Sequence, residues 1–157
     1  MPTDDRRRDL GLLILRLSGL GLAFAHGLGK LTALAGGEQR FVEGVARLGF
    51  PAPVAFAWAA ALTEVAGGLL IAVGLATRTT AVLAAVVVAV AGFLRHHALE
   101  QIAAGVGLTS IAPEVLERWG RPELALVYLL CFLAIALLGP GRLSLDHALR
   151  ARRGRRR

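Results

Sequence analysis

Ionisable side chains interrupt the long apolar stretches of this sequence, and their types could do chemistry. Lysine and histidine donate hydrogen bonds, whereas glutamate accepts them or carries a proton. His26 and Lys30 are four residues apart and therefore share one helix face. Ionisable groups at membrane depth are costly and usually face a bundle interior, where they serve function. The ligand-binding or proton-handling candidates are Arg16, His26, Lys30, Glu64, His96 and Glu123, and the structural polar candidates are Arg78, Arg142 and Asp146.

The elements that must position these residues are membrane helices. The 157-residue chain is 55% hydrophobic and only 18% charged, which is too little charge to cover a water-soluble globule. A spanning helix needs about 20 mostly apolar residues, and apolar blocks predict spans at about 10–34, 53–76, 79–99 and 123–138. We predict an all-α, integral membrane four-helix bundle that forms a single transmembrane domain, 1–157. Because no small-residue cleavage site follows the first block, we expect that block to remain as a span.

The positive charge is concentrated in three places. The net charge is +7, and ten of the 18 basic residues are arginines that precede the first block, occur in the short link after the second block, or fill the tail after the fourth. Four crossings place all three on one side, so the positive-inside rule predicts that the basic tails, 1–9 and 147–157, are both cytoplasmic. The arginine tail is then interpreted as a topology signal and an anchor for anionic lipids rather than a nucleic-acid arm.

The two longer links, 35–52 and 101–121, are predicted to contain short interfacial helices, because apolar residues recur in them at helical spacing beside charged ones. Within the first block, Gly19, Ala23 and Gly27 form a row of small residues that allows close helix packing.

Several of the polar candidates are predicted to lie at similar depths in the membrane. At about 1.5 Å per residue, His26 and His96 both lie roughly 25 Å above the cytoplasmic ends of their spans. Glu64 is near the middle of the second span, and Glu123 begins the fourth at the outer surface. We expect Glu64 to face the bundle interior and His26, Lys30 and Glu123 to line one cavity.

Three interpretations of this polar cluster remain open. The first is a set of internal ion pairs that fix helix register, Lys30 with Glu123 and Arg16 with Glu64. The second is a pocket for a small molecule such as a quinone head group, in which Glu64 handles a proton. The third, metal or haem ligation by His26 and His96, is disfavoured because no carboxylate or cysteine stands at ligand spacing.

Motifs of catalysis are absent from the sequence. It contains no Walker loop, no nucleophile elbow and no catalytic triad, so no residue is assigned a catalytic role. Cys131 is the only cysteine, which excludes an intramolecular disulfide or a CxxC pair. Redox chemistry would therefore require a cofactor or a partner.

Several of these residues lie in segments that resemble the DoxX family of small bacterial membrane proteins. The segments are 15–17 around Arg16, 26–31 (HGLGKL), 48–51 (LGFP), 64–68 (EVAGG), 74–78 (GLATR), 123–126 (ELAL) and 139–146 (GPGRLSLD). The resemblance implies a four-helix membrane bundle. It also implies that Arg16, His26, Lys30, Glu64, Glu123 and Asp146 occupy the family's recurrent polar positions. Better-described relatives include the quinone-linked membrane subunit of thiosulfate oxidation and a membrane component associated with thiol-redox proteins.

Our leading functional hypothesis is a multi-pass subunit of the bacterial cytoplasmic (inner) membrane that binds a quinone or another small redox-active molecule. It would act with a soluble redox protein, as the membrane component of a quinone-linked oxidoreductase. A small-molecule or proton-coupled transporter and a non-catalytic scaffold for a soluble partner are the alternatives. Homo-oligomerisation is left open, and the bilayer is the expected environment.

Overall fold

The polypeptide is helical throughout its ordered elements. The computed structural model describes residues 3–154, and no β-strand occurs in that range. Its helices are α1 (Thr3–Gly21, continued as Leu22–Gly27 and Leu28–Ala35), α2 (Arg40–Arg47), α3 (Pro53–Leu62, Thr63–Gly67 and Gly68–Val73), α4 (Thr77–Ala89 and Val90–Arg95), α5 (Ala98–Gly105), α6 (Pro113–Trp119), α7 (Glu123–Leu138) and α8 (Leu145–Gly154). The all-α prediction is confirmed. The predicted basic tails extend beyond this range at 1–2 and 155–157, which lie outside the described residues.

Helices α1, α3 and α4 are each long and apolar enough to cross a membrane. Helix α7 has only 16 residues, and it reaches the length of a span only together with α6, from which it is bent by 44°. The described residues therefore contain three candidate membrane-spanning helices, or four if α6 and α7 form one broken span.

The helix interfaces alternate large and small side chains. Helix α4 packs against α7, and α1 packs against α3. In the larger core, the alanines of α4 make room for Leu22, Ile71, Phe132 and Ile135, all of which are fully or almost fully buried. Many other large apolar side chains are exposed on the outer surfaces of the same helices, which suits contact with lipid tails.

Glycines bring the backbones of α1 and α3 into contact. A Cβ atom added to Gly19 would overlap the carbonyl oxygen of Gly68, and one added to Gly68 would overlap the carbonyl oxygen of Gly19. A Cβ on Gly27 would lie 2.8 Å from Cβ of Glu64. The small-residue row of α1 is therefore a packing surface.

Three long helices each contain a short π-helical turn, in which backbone hydrogen bonds span five residues instead of four. These π-helical turns are Leu22–Gly27 in α1, Thr63–Gly67 in α3 and Val90–Arg95 in α4. The turns in α1 and α3 pack against each other, and they contain His26 and Glu64. Such turns occur frequently at functional sites, where the extra residue re-aims side chains.

The links contain the predicted short helices. Helix α2 places Val45 against Leu34 of α1 and against Ala57 and Ala61 of α3, and it ends before Gly49, whose φ of +84° requires glycine. Helices α5 and α6 occupy the second link.

Gly19→Ala and Gly68→Ala should each lower the midpoint of thermal unfolding in detergent. The added methyl group overlaps a backbone carbonyl that cannot rotate away, and overpacking of this kind costs roughly 1–3 kcal/mol. Gly11→Ala and Gly29→Ala are matched controls on the same helix, because nothing lies within 4 Å of either new Cβ atom. These two controls should leave the midpoint unchanged or raise it. Equal midpoints for all four variants would contradict the backbone contact.

Candidate functional site

A buried ion pair connects α1 to α3 within the apolar part of the bundle. The Nζ atom of Lys30 lies 2.5 Å from Oε1 and 2.7 Å from Oε2 of Glu64. The side chain of Glu64 is 4% exposed and that of Lys30 is 32% exposed. The ammonium also lies 5.2 Å from the ring centroid of Phe41 in α2, close enough for a cation–π interaction. The pair is therefore enclosed on the Glu64 side and reachable on the Lys30 side.

The expectation that Glu64 faces the interior is confirmed, but the ion pairs expected in the register hypothesis were wrong. Lys30 pairs with Glu64 and not with Glu123, because Gly27 lets α3 approach α1 beneath the lysine. Glu123 begins α7 with an exposed side chain and forms no salt bridge among the described residues. Arg16 does not contact Glu64. It lies 14 residues before Lys30, about 21 Å along the helix.

His26, about one helical turn before Lys30, forms a second polar group with Tyr128 of α7. Their rings meet edge to face, with centroids 5.7 Å apart, and Tyr128 also stacks on Phe132. Both side chains are half-buried, and among the described residues neither the imidazole nor the phenol hydroxyl has a hydrogen-bond partner. Tyr128 is the only tyrosine of the chain, and sequence reasoning missed it because nothing in α7 marks its inward direction.

Arg16 is fully buried at the opposite end of the bundle. Its Nη2 atom donates a hydrogen bond to the carbonyl oxygen of Leu143, whereas Nε and Nη1 have no acceptor among the described residues. A side chain at Gly74 would overlap the guanidinium, and φ of Gly74 is +75°. Glycine is therefore required there both by the space and by the backbone.

Asp146 caps the start of α4, and it forms no salt bridge with a described residue. It accepts hydrogen bonds from the backbone N–H groups of Ala76 and Thr77, each 2.9 Å away, and from the Thr77 hydroxyl at 2.8 Å. Burial raises the pKa of the Asp146 carboxyl, but these hydrogen bonds outweigh it, so the pKa lies below its ordinary value. The carboxylate is therefore ionised at neutral pH.

Arg142 and Arg78 sit near the same end of the bundle. The backbone N–H of Arg142 donates to Oδ1 of Asp9 at 2.9 Å, and both arginine side chains are exposed. A Cβ on Gly139 would lie 3.1 Å from Nε of Arg78. Asp9 is 7% exposed, and the sequence analysis missed it because it lies among the charges of the N-terminal tail.

His96 belongs to the far loop. Its Nδ1 atom donates to the carbonyl oxygen of Trp119 at 2.6 Å, and Gln101 donates to the carbonyl oxygens of His96 and Gly120. His97 stacks on Trp119 with centroids 4.1 Å apart. His96 thus joins the end of α4 to the end of α6, and among the described residues it forms no hydrogen bond or ion pair with Lys30 or Glu64.

Two clefts lie away from the ion pair. An open one of about 560 Å³ is lined by Leu99, Ile111 and Trp119, among others, and one of about 220 Å³ adjoins Asp9. Neither is lined by Lys30 or Glu64. Within residues 3–154, no three histidine, cysteine, aspartate or glutamate side chains are grouped as metal ligands.

Removing one member of the Lys30–Glu64 pair should destabilise the fold more than removing both. Lys30→Met leaves a buried carboxylate without its cation, a loss of about 3–5 kcal/mol, and Glu64→Gln in the same chain should restore part of it. A double-mutant cycle of unfolding free energies in detergent measures this coupling.

The exposed pair of Arg47 and Glu43, with atoms 3.9 Å apart, is the matched control. Its coupling should be below about 1 kcal/mol. Additive effects of the Lys30 and Glu64 substitutions would show that the buried pair does not stabilise the bundle.

Comparisons with known proteins agree with the membrane architecture. The chain is 32% identical over 141 residues to the inner membrane protein YqjF of Escherichia coli, which covers 90% of this chain and 93% of the relative. It is 30% identical over 139 residues to the inner membrane protein YphA of the same organism, covering 88% of this chain and 90% of that protein. No solved structure matches the chain significantly. The model of the DoxX family matches residues 11–97, more than half of the chain, and the protein therefore belongs to the DoxX family of membrane proteins.

Proposed function

We propose that this membrane protein binds the head group of a quinone, or of another small redox-active molecule, beside the Lys30–Glu64 pair and acts with a redox partner. The observation that carries the proposal is the His26–Tyr128 contact. Two polar groups without hydrogen-bond partners lie there within an apolar bundle. Polar groups in hydrocarbon are expensive unless they are satisfied, so a polar ligand that accepts or donates there is favourable.

The side chains available suit a head group with carbonyl or hydroxyl oxygens. His26 and Tyr128 can each donate one hydrogen bond or accept one. Lys30 and His26 are neighbours on one face of α1, and the partial exposure of Lys30 gives a molecule dissolved in the bilayer lateral access. The Phe41 ring covers Lys30 and offers an apolar surface to a planar ring.

Glu64 is the residue that handles a proton in this proposal. Its two oxygens face the ammonium of Lys30, so the charge of the carboxylate is balanced before any ligand arrives. A bound quinone would supply the two-electron, two-proton couple that the side chains of the chain lack. The electrons would be exchanged with a partner protein, because Cys131 is the only thiol and cannot form a redox pair by itself.

The proposed location is the bacterial inner membrane with both termini in the cytoplasm. Hydrogen bonds from Arg142 to Asp9 and from Thr77 to Asp146 hold the start of α1, the turn before α4 and the start of α8 at one end of the bundle. The three arginine-rich places of the sequence are near these segments, which supports a single cytoplasmic end.

Reporter fusions test this orientation. A cytoplasmic reporter such as a fluorescent protein should be active when it is fused at Gly154, and a reporter active only in the periplasm should be active when it is placed between residues 35 and 52. Periplasmic activity at Gly154 would overturn the proposed topology.

Titration with a short-chain benzoquinone should show saturable binding that depends on the polar group. His26→Ala and Tyr128→Phe each remove one hydrogen-bonding group, so each should raise Kd about 3- to 10-fold. Quenching of tryptophan fluorescence in the purified protein measures Kd. Melting in the same detergent shows whether the variants remain folded.

His147→Ala, at an exposed position in α8, is the matched histidine control and should keep the Kd of the unmodified protein. A Kd that is equal in all four proteins, or no saturable binding at all, would remove the support for a quinone site. Proton-coupled transport and scaffolding would then be the functions to test.

A further inference from the structure

A second polar site lies at the end of the bundle where α1 begins. A cleft of about 220 Å³ separates the first turns of α1 from the loop that follows α7. Its wall includes charged residues of both signs, Asp5, Arg8, Asp9 and Arg142, together with two leucines, Leu12 and Leu138. Asp9 lies 21 residues before Lys30, about 31 Å along α1, so this cleft is distinct from the proposed redox site.

Asp9 has an incomplete set of hydrogen bonds. Its Oδ1 atom accepts from the backbone N–H of Arg142, but Oδ2 is enclosed and receives no hydrogen bond from any described residue. A buried carboxylate oxygen without a donor is costly, and few such groups persist in folded proteins. Because Asp9 forms part of the cleft wall, a small rotation of its carboxylate would bring Oδ2 within reach of a cation with N–H donors in the cleft.

The two arginines of the cleft, Arg8 and Arg142, favour an anionic group beside that cation. The side chains of Arg8 and Arg142 are exposed, and neither forms a salt bridge with a described residue. Guanidinium groups bind phosphate through paired N–H donors. A ligand that suits the whole cleft therefore carries an ammonium close to a phosphate.

The position of the cleft indicates where such a ligand comes from. The apolar part of α1 begins at Leu10, immediately after Asp9, and α7 ends at Leu138. The cleft therefore lies at the level where lipid head groups meet the hydrocarbon, with its two leucines available to the glycerol and acyl portions. We propose that it binds the head group of an ethanolamine phospholipid, with the ammonium at Asp9 and the phosphate at Arg8 and Arg142.

Native mass spectrometry of the full chain in detergent, titrated with phospholipids of identical acyl chains, tests the proposal. The ethanolamine lipid should bind about fivefold or more tightly than the choline lipid, whose methylated nitrogen has no N–H donor, and than the glycerol lipid, which has no cation. Because this series uses the unmodified protein, it does not depend on how any variant folds. Equal affinity for the ethanolamine and choline lipids would overturn the proposal.

Asp9→Asn keeps an acceptor for the Arg142 N–H but loses the charge, so its affinity for the ethanolamine lipid should fall to that for the choline lipid. Asp4→Asn, at an exposed position outside the cleft, is the control and should keep the preference. Arg142→Gln should lower the affinity for all three lipids but keep the preference for the ethanolamine lipid. An Asp9→Asn variant that still prefers the ethanolamine lipid would contradict the role of Asp9.

Phosphoethanolamine without acyl chains distinguishes a lipid from a free metabolite with the same head group. It should displace the ethanolamine lipid only at a roughly 100-fold higher concentration, because it lacks the apolar portion that the bilayer boundary holds. Displacement at equal concentration would assign the cleft to a soluble ligand and overturn its assignment to lipid.

Discussion

The close approach of the α1 and α3 backbones is the contact on which the rest of the polar interior depends. Hydrocarbon gives two membrane helices no hydrophobic reason to associate, so close packing and polar contacts must hold them together. Gly19, Gly27 and Gly68 remove the side chains that would separate the two backbones. This contact brings Glu64 within reach of Lys30, and the ion pair then bridges the same interface. Packing and charge thus stabilise one arrangement.

The charged residues at the other end of the bundle form hydrogen bonds with backbone groups of loops and helix ends. Chain segments outside helices expose backbone groups that must be satisfied, and helix ends do so as well. Asp146 accepts from the first N–H groups of α4, Asp9 accepts from the loop after α7, and Arg16 donates to a carbonyl of that loop. Two side chains of α1 and one of α8 therefore fix the backbone at 142–146 against α1 and α4.

Each of the two proposed sites contains polar groups that have no hydrogen-bond partner among the described residues. His26 and Tyr128 lie without hydrogen-bond partners among the described residues, and Asp9, whose Oδ2 receives no hydrogen bond, lies about 26 Å from His26 along α1. The first group suits a neutral, planar molecule that enters from the bilayer. The second suits a zwitterionic head group. The two sites differ in chemistry because one has a compensated pair of charges and the other has uncompensated charges of both signs.

The sequence by itself determined the all-helical architecture, the positions of the long apolar helices and the residues that the bilayer should exclude, because hydropathy and ionisation are local properties. It also indicated the small-residue packing row of α1 and the helices in the links. The partner of each charged residue was decided only by the tertiary structure. Lys30 pairs with Glu64 and Asp146 caps α4, since helix rotation and the π-helical turns at His26 and Glu64 set which side chains face each other. Hydropathy carries no information on that rotation, so Tyr128 and Asp9 became visible only once the helices were packed.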